Sequence, residues 1–96
     1  MNDNKSIEKE KLEDEINNSV WENSIYGLTY KFQNGNDLWI NGNAHFNYEI
    51  SIEQDRLMLK FFPNGKDFFI ELKYGEILHL QDDKQQFELR LRERIK

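Results

Sequence analysis

The residues with which this chain could do chemistry are few: two histidines, His45 and His79, four tyrosines, three serines past the first turn of the chain, and scattered carboxylates. Neither histidine lies in an H-E-x-x-H or other metal-ligand spacing, and the pattern around each puts it on the polar face of a strand, where it reads as a surface residue. Glu49 and Glu71 fall on the same outward face, yet a strand intervenes between them. Glu49 opposes Lys60, which points to a cross-strand pair rather than a general acid and base. Ser19, Ser24 and Ser51 stand in no nucleophile context. Gly35, Gly42, Gly65 and Gly75 punctuate turns and Gly27 begins a strand, so no G-x-G-x-x-G or P-loop spacing is present to cradle phosphate. With no Cys, thiol nucleophiles, disulfides and Cys-ligated zinc are excluded. No catalytic residue, metal site or cofactor is expected, and the chain reads as non-enzymatic.

Charge narrows the partners. Eighteen acidic residues against 13 basic give a formal charge of -5, which is no electrostatic footprint for nucleic acid or an anionic membrane surface. The one cationic run, Arg90, Arg92, Arg94 and Lys96, alternates with Leu89, Leu91, Glu93 and Ile95 along the last strand. It reads as charge guarding a strand face against aggregation, with an anionic partner as the sharper alternative. After Met1 come Asn2, Asp3, Asn4 and Lys5 with no apolar run behind them, and no stretch approaches the roughly 18 apolar residues of a spanning helix. The expectation is a cytoplasmic protein without a membrane segment.

The elements that must position these side chains change character at residue 19. Residues 1–18 are dense in Glu, Lys, Asp and Asn and read as a helix, with Ser6 as N-cap, Glu8 and Glu10 in the first turn, and Asn17, Asn18 and Ser19 ending it. Leu12, Ile16 and Val20 form its apolar stripe, and Ile7 lies nearly opposite. Residues 19–96 follow a period of two broken by turn signals at roughly 8 to 12-residue intervals, the mark of an antiparallel β domain. The inward set is Tyr26, Leu28, Tyr30 and Phe32; Leu38 and Ile40; Phe46, Tyr48, Ile50 and Ile52; Leu57, Leu59 and Phe61; Phe68, Ile70 and Leu72; Ile77, Leu78 and Leu80; and Phe87, Leu89 and Leu91. Asn64-Gly65 suits a type I′ hairpin that sets Phe61 against Phe68, Leu59 against Ile70 and Leu57 against Leu72. With a short first strand at 20–23, this makes about eight strands joined by tight turns, a meander that hides its edges by closing into a small barrel or by curling into a half-barrel under the helix.

Trp39, Met58, Phe62 and Phe69 fall on the outward parity, where the helix stripe is the preferred cover and a dimer or protein partner the alternative. A two-residue turn at Gly42-Asn43 would instead pair Trp39 with Phe46 and turn it inward. The inward aromatics are numerous enough to fill a small barrel outright, although the Tyr30 and Tyr48 hydroxyls suit a partly polar cavity.

Trp21 at the head of the first strand, then Tyr30, Phe32 and Asn34-Gly35, then Tyr48, Leu57, Leu59, Phe68, Ile70 and Leu80 along successive hairpins, resemble the small bacterial lipocalin-like domains of the calycin class. The resemblance spans residues 20–94. It implies a barrel that takes small acyl or hydrophobic ligands, and a cation from Arg90, Arg92 or Arg94 packed over Trp21; Ser19 stands where that family has Gly. Two functions follow. One is a non-enzymatic binding module whose cavity, lined by Tyr30, Phe46, Tyr48, Phe61 and Phe68, accepts a small apolar ligand. The other is a protein-interaction module of inhibitor or immunity type that uses Trp39, Met58, Phe62 and Phe69 or the acidic helix surface.

Overall fold

A computed structural model describes residues 4–63 and 65–95. Helix α1 (Asn4–Ile16) leads into eight strands: β1 (Ser19–Asn23), β2 (Leu28–Gln33), β3 (Asp37–Ile40), β4 (Ala44–Glu53), β5 (Arg56–Phe62), β6 (Phe68–Lys73), β7 (Ile77–Gln81) and β8 (Gln86–Arg94). Each strand pairs antiparallel with the next, and β1 pairs with β8, so the meander closes into a barrel with no free edge. The half-barrel alternative is thereby settled in favour of closure.

Alternation drives the closure. Tyr30, Phe32, Leu38, Tyr48, Ile50, Leu57, Leu59, Phe61, Phe68, Ile70, Leu78, Leu80, Phe87 and Leu89 are buried in one cluster with Trp21, while residues between them on the same strands face out. Tyr26 departs from this set: it sits in the β1–β2 turn and is 66% exposed, because the Asn23 side chain accepts a hydrogen bond from the Tyr26 N–H at 2.7 Å and folds the chain out of the strand. Ile52, next to the β4–β5 turn, is also exposed.

Turn chemistry sets the registers. The β4–β5 hairpin has only Gln54 and Asp55 between paired Glu53 and Arg56, and both take positive φ (54° and 60°), as a two-residue type I′ turn requires. The expected hairpin at Asn64-Gly65 includes Asn64, which lies outside the described residues. Its flanking register differs from expectation by two: Leu59 pairs with Phe68 and Met58 with Phe69. Phe61 instead spends its strand pairing on Tyr48 of β4, and Gly65 folds back over it. A Cβ at residue 65 would overlap the Phe61 Cβ and lie 2.7 Å from its Cγ and Cδ2, so the backbone occupies the space where the tighter hairpin would have put a strand neighbour. A shift of two preserves which face each side chain takes, so Phe68 and Ile70 still point inward. At β3–β4, Trp39 pairs with His45 and Leu38 with Phe46, which keeps Trp39 outward.

The helix departs furthest from expectation. It begins by Asn4, so Ser6 lies inside it rather than capping it, and Glu8 and Glu10 fall past the first turn. Val20 belongs to β1, outside the helix stripe. Leu12 and Ile16 do not cover the outer wall; they enter the barrel's own core cluster. Because β1, β3, β5 and β7 start at the same end of the barrel, α1 lies across that end, contacting β1, β4 and β5. Burying these two side chains there contributes about 1.5–3 kcal/mol each.

The helix ends on a buried hydrogen-bond relay. Asn18, with φ of 56°, breaks the helix after Ile16, as the asparagine pair predicts. The Ser19 hydroxyl then donates to the Ile16 carbonyl, and the Trp21 indole N–H donates to Ser19 Oγ at 2.7 Å. Ile16, Ser19 and Trp21 are all fully buried. On the outside, Arg94 of β8 donates to the Glu15 carbonyl at 2.8 Å and pairs with the Glu15 carboxylate.

Candidate functional site

The five residues expected to line a ligand cavity all reach the barrel interior, and the rings of Tyr30, Phe46, Phe61 and Phe68 touch. Phe46 lies 5.5 Å from Phe61 between centroids, Phe61 6.1 Å from Phe68, and Tyr30 6.3 Å from Phe61. Phe87 extends the chain at 5.4 Å from Phe68 and 6.4 Å from Tyr30. These spacings are those of rings in direct contact. Tyr48, the register partner of Phe61, makes its ring contact with Phe32 at 5.1 Å and lies toward the helix. Phe46 is half-buried; the other four are nearly inaccessible. Burial pushes the Tyr30 hydroxyl up to about 12, and burial with the nearby Glu13 carboxylate does the same for Tyr48. Both phenols are therefore neutral across physiological pH.

The four outward apolar residues do not form one patch. Met58 and Phe69 are cross-strand neighbours, with the Arg56 guanidinium 3.9 Å above the Phe69 ring. Phe62, 42% exposed, sits opposite Asn47 at the end of β5. Trp39 stacks on His45 at 4.6 Å and 27°, and His45 Nε2 lies 3.0 Å from the Asp37 carboxylate, which also accepts from the Asn47 amide at 3.1 Å. Trp39 is thus held rigid and half-buried on the wall by a neighbour that is itself oriented.

The remaining polar residues resolve into local roles. Glu49 opposes Lys60 in register as the sequence implies, yet Lys60 makes its ion pair with Glu53 at 2.9 Å. That hydrogen bond holds the Glu53 carboxyl below its usual range and raises Lys60. His79 sits on the outer face between paired Glu71 and Glu88, with Glu88 3.7 Å from a buried Nδ1 that has no hydrogen-bond partner among the described residues. No group of three His, Cys, Asp or Glu among the described residues is arranged to hold a metal ion. A register shift between Val20 and Trp21 divides the cationic run: Arg92 pairs with Glu22 at 3.5 Å while Arg94 turns to the helix. Lys96 lies outside the described residues. Among those described, the aromatic ring with a cation stacked on it is Phe69, and none of the arginines takes that place at Trp21.

Among the described residues, three open clefts are prominent. One of about 500 Å³ lies between α1 and β5–β6, lined by Leu12, Leu57, Ile70 and Leu72 and by the charged residues Lys5, Glu8, Lys11, Arg56 and Glu71. A second, of about 580 Å³, lies at the opposite end beside Ile25, Tyr26 and Phe87. The third, about 470 Å³, is formed by the last turns of α1, the β2–β3 turn and β4. Sequence reasoning missed this third one, because the acidic residues of a helix show no preferred neighbour until the helix is placed. No helix among the described residues is long and apolar enough to cross a membrane. No family model matches the chain, and neither a curated protein nor a solved structure matches it.

Proposed function

We propose that this chain is a non-enzymatic binding module, lipocalin-like in its barrel, that recognises a protein partner through its outer wall. The observation that carries this reading is the continuous ring contact across the interior: the inward rings touch one another from Phe46 to Phe87, and α1 lies over one end. Recognition then falls to the exterior, where Trp39 is fixed by His45 and Asp37. Rigid aromatic anchors of this kind dominate interface energetics. The excess of acidic residues favours a partner with a basic surface. The test is Trp39→Ala, followed by thermal melting and by affinity capture from the native host. Retained melting with loss of a captured polypeptide supports the reading; capture unchanged by the substitution refutes it.

A second reading, a small apolar ligand held among Tyr30, Phe46, Phe61 and Phe68, draws on the half-buried Phe46 ring and on the Tyr30 hydroxyl, which has no hydrogen-bond partner among the described residues. It requires the contacting rings to part. A ligand released on denaturation would establish it.

A further inference from the structure

Three asparagines of this chain, Asn34, Asn41 and Asn64, are followed directly by glycine. A glycine neither shields its own amide nitrogen with a Cβ nor stiffens the backbone that must bend to bring that nitrogen onto the preceding side chain. Asn64 lies outside the described residues, so the comparison falls between the other two. Asn41 is tied to β2 twice: its N–H donates to the Thr29 carbonyl at 2.8 Å, and its Oδ1 accepts from the Thr29 N–H at 2.8 Å. Asn34 is exposed, and its side chain makes no hydrogen bond to the described residues. Its backbone N–H is the engaged group, on Asn18 Oδ1 at 3.2 Å. The N–H of Gly35 has no acceptor among the described residues. Space around this glycine is open: beyond its chain neighbours, the nearest atom to where a Cβ would stand is Asp37 Oδ2, 3.9 Å away.

We infer that Asn34 is a site of spontaneous covalent modification in the folded chain, deamidation through a cyclic succinimide, and that Asn41 is protected from it. The Gly35 nitrogen gives its proton to hydroxide and attacks Asn34 Cγ. A C–N bond forms there, and Nδ2 leaves as ammonia with a proton taken from water. Water then adds to one of the two ring carbonyls and breaks its bond to the Gly35 nitrogen. Opening at Cγ leaves aspartate; opening at the Asn34 backbone carbonyl routes the chain through Cγ and leaves isoaspartate. The sum is amide plus water to carboxylic acid plus ammonia, so no oxidant, metal or enzyme is needed. At Asn41 the same ring closes only after the side chain and backbone leave Thr29, and two hydrogen bonds of ordinary net strength hold the rate back by roughly tenfold or more. At Asn34 the one backbone bond lies outside the ring that forms.

The product carboxylate stands in the third cleft with Glu13, Asp14 and Glu49. Isoaspartate also adds a backbone carbon to a turn whose Asn36 carbonyl accepts the Tyr48 N–H at 2.9 Å and which leads into Asp37, the partner of His45. The site rests on the geometry of this turn and is independent of the outer-wall reading.

The experiment is incubation of the intact chain at mildly alkaline pH, folded in buffer and unfolded in guanidinium chloride, followed by chymotryptic peptide mapping. Mass spectrometry reads each conversion as a gain of one dalton, and chromatography separates isoaspartate from aspartate. In the folded chain Asn34 should convert roughly tenfold faster than Asn41; in guanidinium chloride the two rates should converge. Asn34→Gln should remove the gain from its peptide and leave that of Asn41 as it was. Asn41 converting as fast as Asn34 in the folded chain, a preference for Asn34 that persists undiminished in guanidinium chloride, or no conversion of Asn34 in the folded chain would each overturn the inference.

Discussion

Ser19→Ala removes one oxygen from the chain and two hydrogen bonds from the core. In the native structure Ser19 Oγ accepts from the Trp21 indole N–H at 2.7 Å and donates to the Ile16 carbonyl at the end of α1. All three residues are fully buried, so water cannot replace the missing partner. Leaving a buried donor unpaired costs about 1–3 kcal/mol, and the lost bond to the helix carbonyl adds about 1 kcal/mol. The sum is roughly 2–4 kcal/mol, which at about 4–8 °C per kcal/mol for a domain of this size lowers the melting temperature by roughly 8–32 °C. Thermal unfolding followed by circular dichroism measures it. A double-mutant cycle with Trp21→Phe isolates the mechanism: without the indole N–H, Ser19→Ala should cost only the helix bond, about 1 kcal/mol. A single substitution within about 0.5 kcal/mol of wild type, or the same cost in both backgrounds, would refute the relay.

Gly65→Ala places a methyl group into the Phe61 side chain and should destabilise by about 1–3 kcal/mol, read as a lowered urea midpoint. Replacing Gln54-Asp55 by Asn-Gly supplies residues suited to the two positive φ angles of that turn; relief of left-handed strain, about 1–2 kcal/mol per residue, outweighs the added unfolded-state freedom of Gly and should raise the urea midpoint. Arg94→Ala removes the link to Glu15 and should speed hydrogen exchange in α1 while the β4–β5 amides keep their protection. At high pH, Tyr30 and Tyr48 act in one direction. Their phenols ionise near 10 in the unfolded chain and near 12 in the folded one, so the stability they contribute is complete below pH 10 and is lost as pH rises toward 12. Phenolate absorbance of these two should therefore appear together with the loss of barrel circular dichroism; ionisation in an intact barrel would contradict their burial.

The face taken by most strand residues was legible because alternation has a period of two and a shift of two cannot change it; Phe68 points inward even though its partner is Leu59, whereas Ile77, read as inward beside Leu78, pairs with Lys73 and Arg90 on the other face. Register was less legible. It turned on Gly65 packing over Phe61, a contact that no local turn preference encodes. The helix existed on the page as Leu12 and Ile16 four residues apart, but a stripe of two residues does not say which apolar surface it meets. The outer wall bearing Trp39 was the preferred surface for it, and Leu12 and Ile16 enter the barrel core instead. For the same reason the cleft of Asp14, Tyr48 and Glu49 was invisible, since its walls lie on elements whose docking was unknown. Ser19 carried no motif, and only the return of the Trp21 indole onto it gives the hydroxyl a purpose.

The central claim is that this barrel is filled and binds from outside. Native mass spectrometry of the chain purified gently from its own host tests it most directly. The account predicts the 11.7 kDa chain mass, alone or with a bound polypeptide, and no apolar molecule released from the barrel on denaturation. A released apolar compound of drug-like size, whose retention is abolished by substitutions at Phe46 or Phe61, would contradict it.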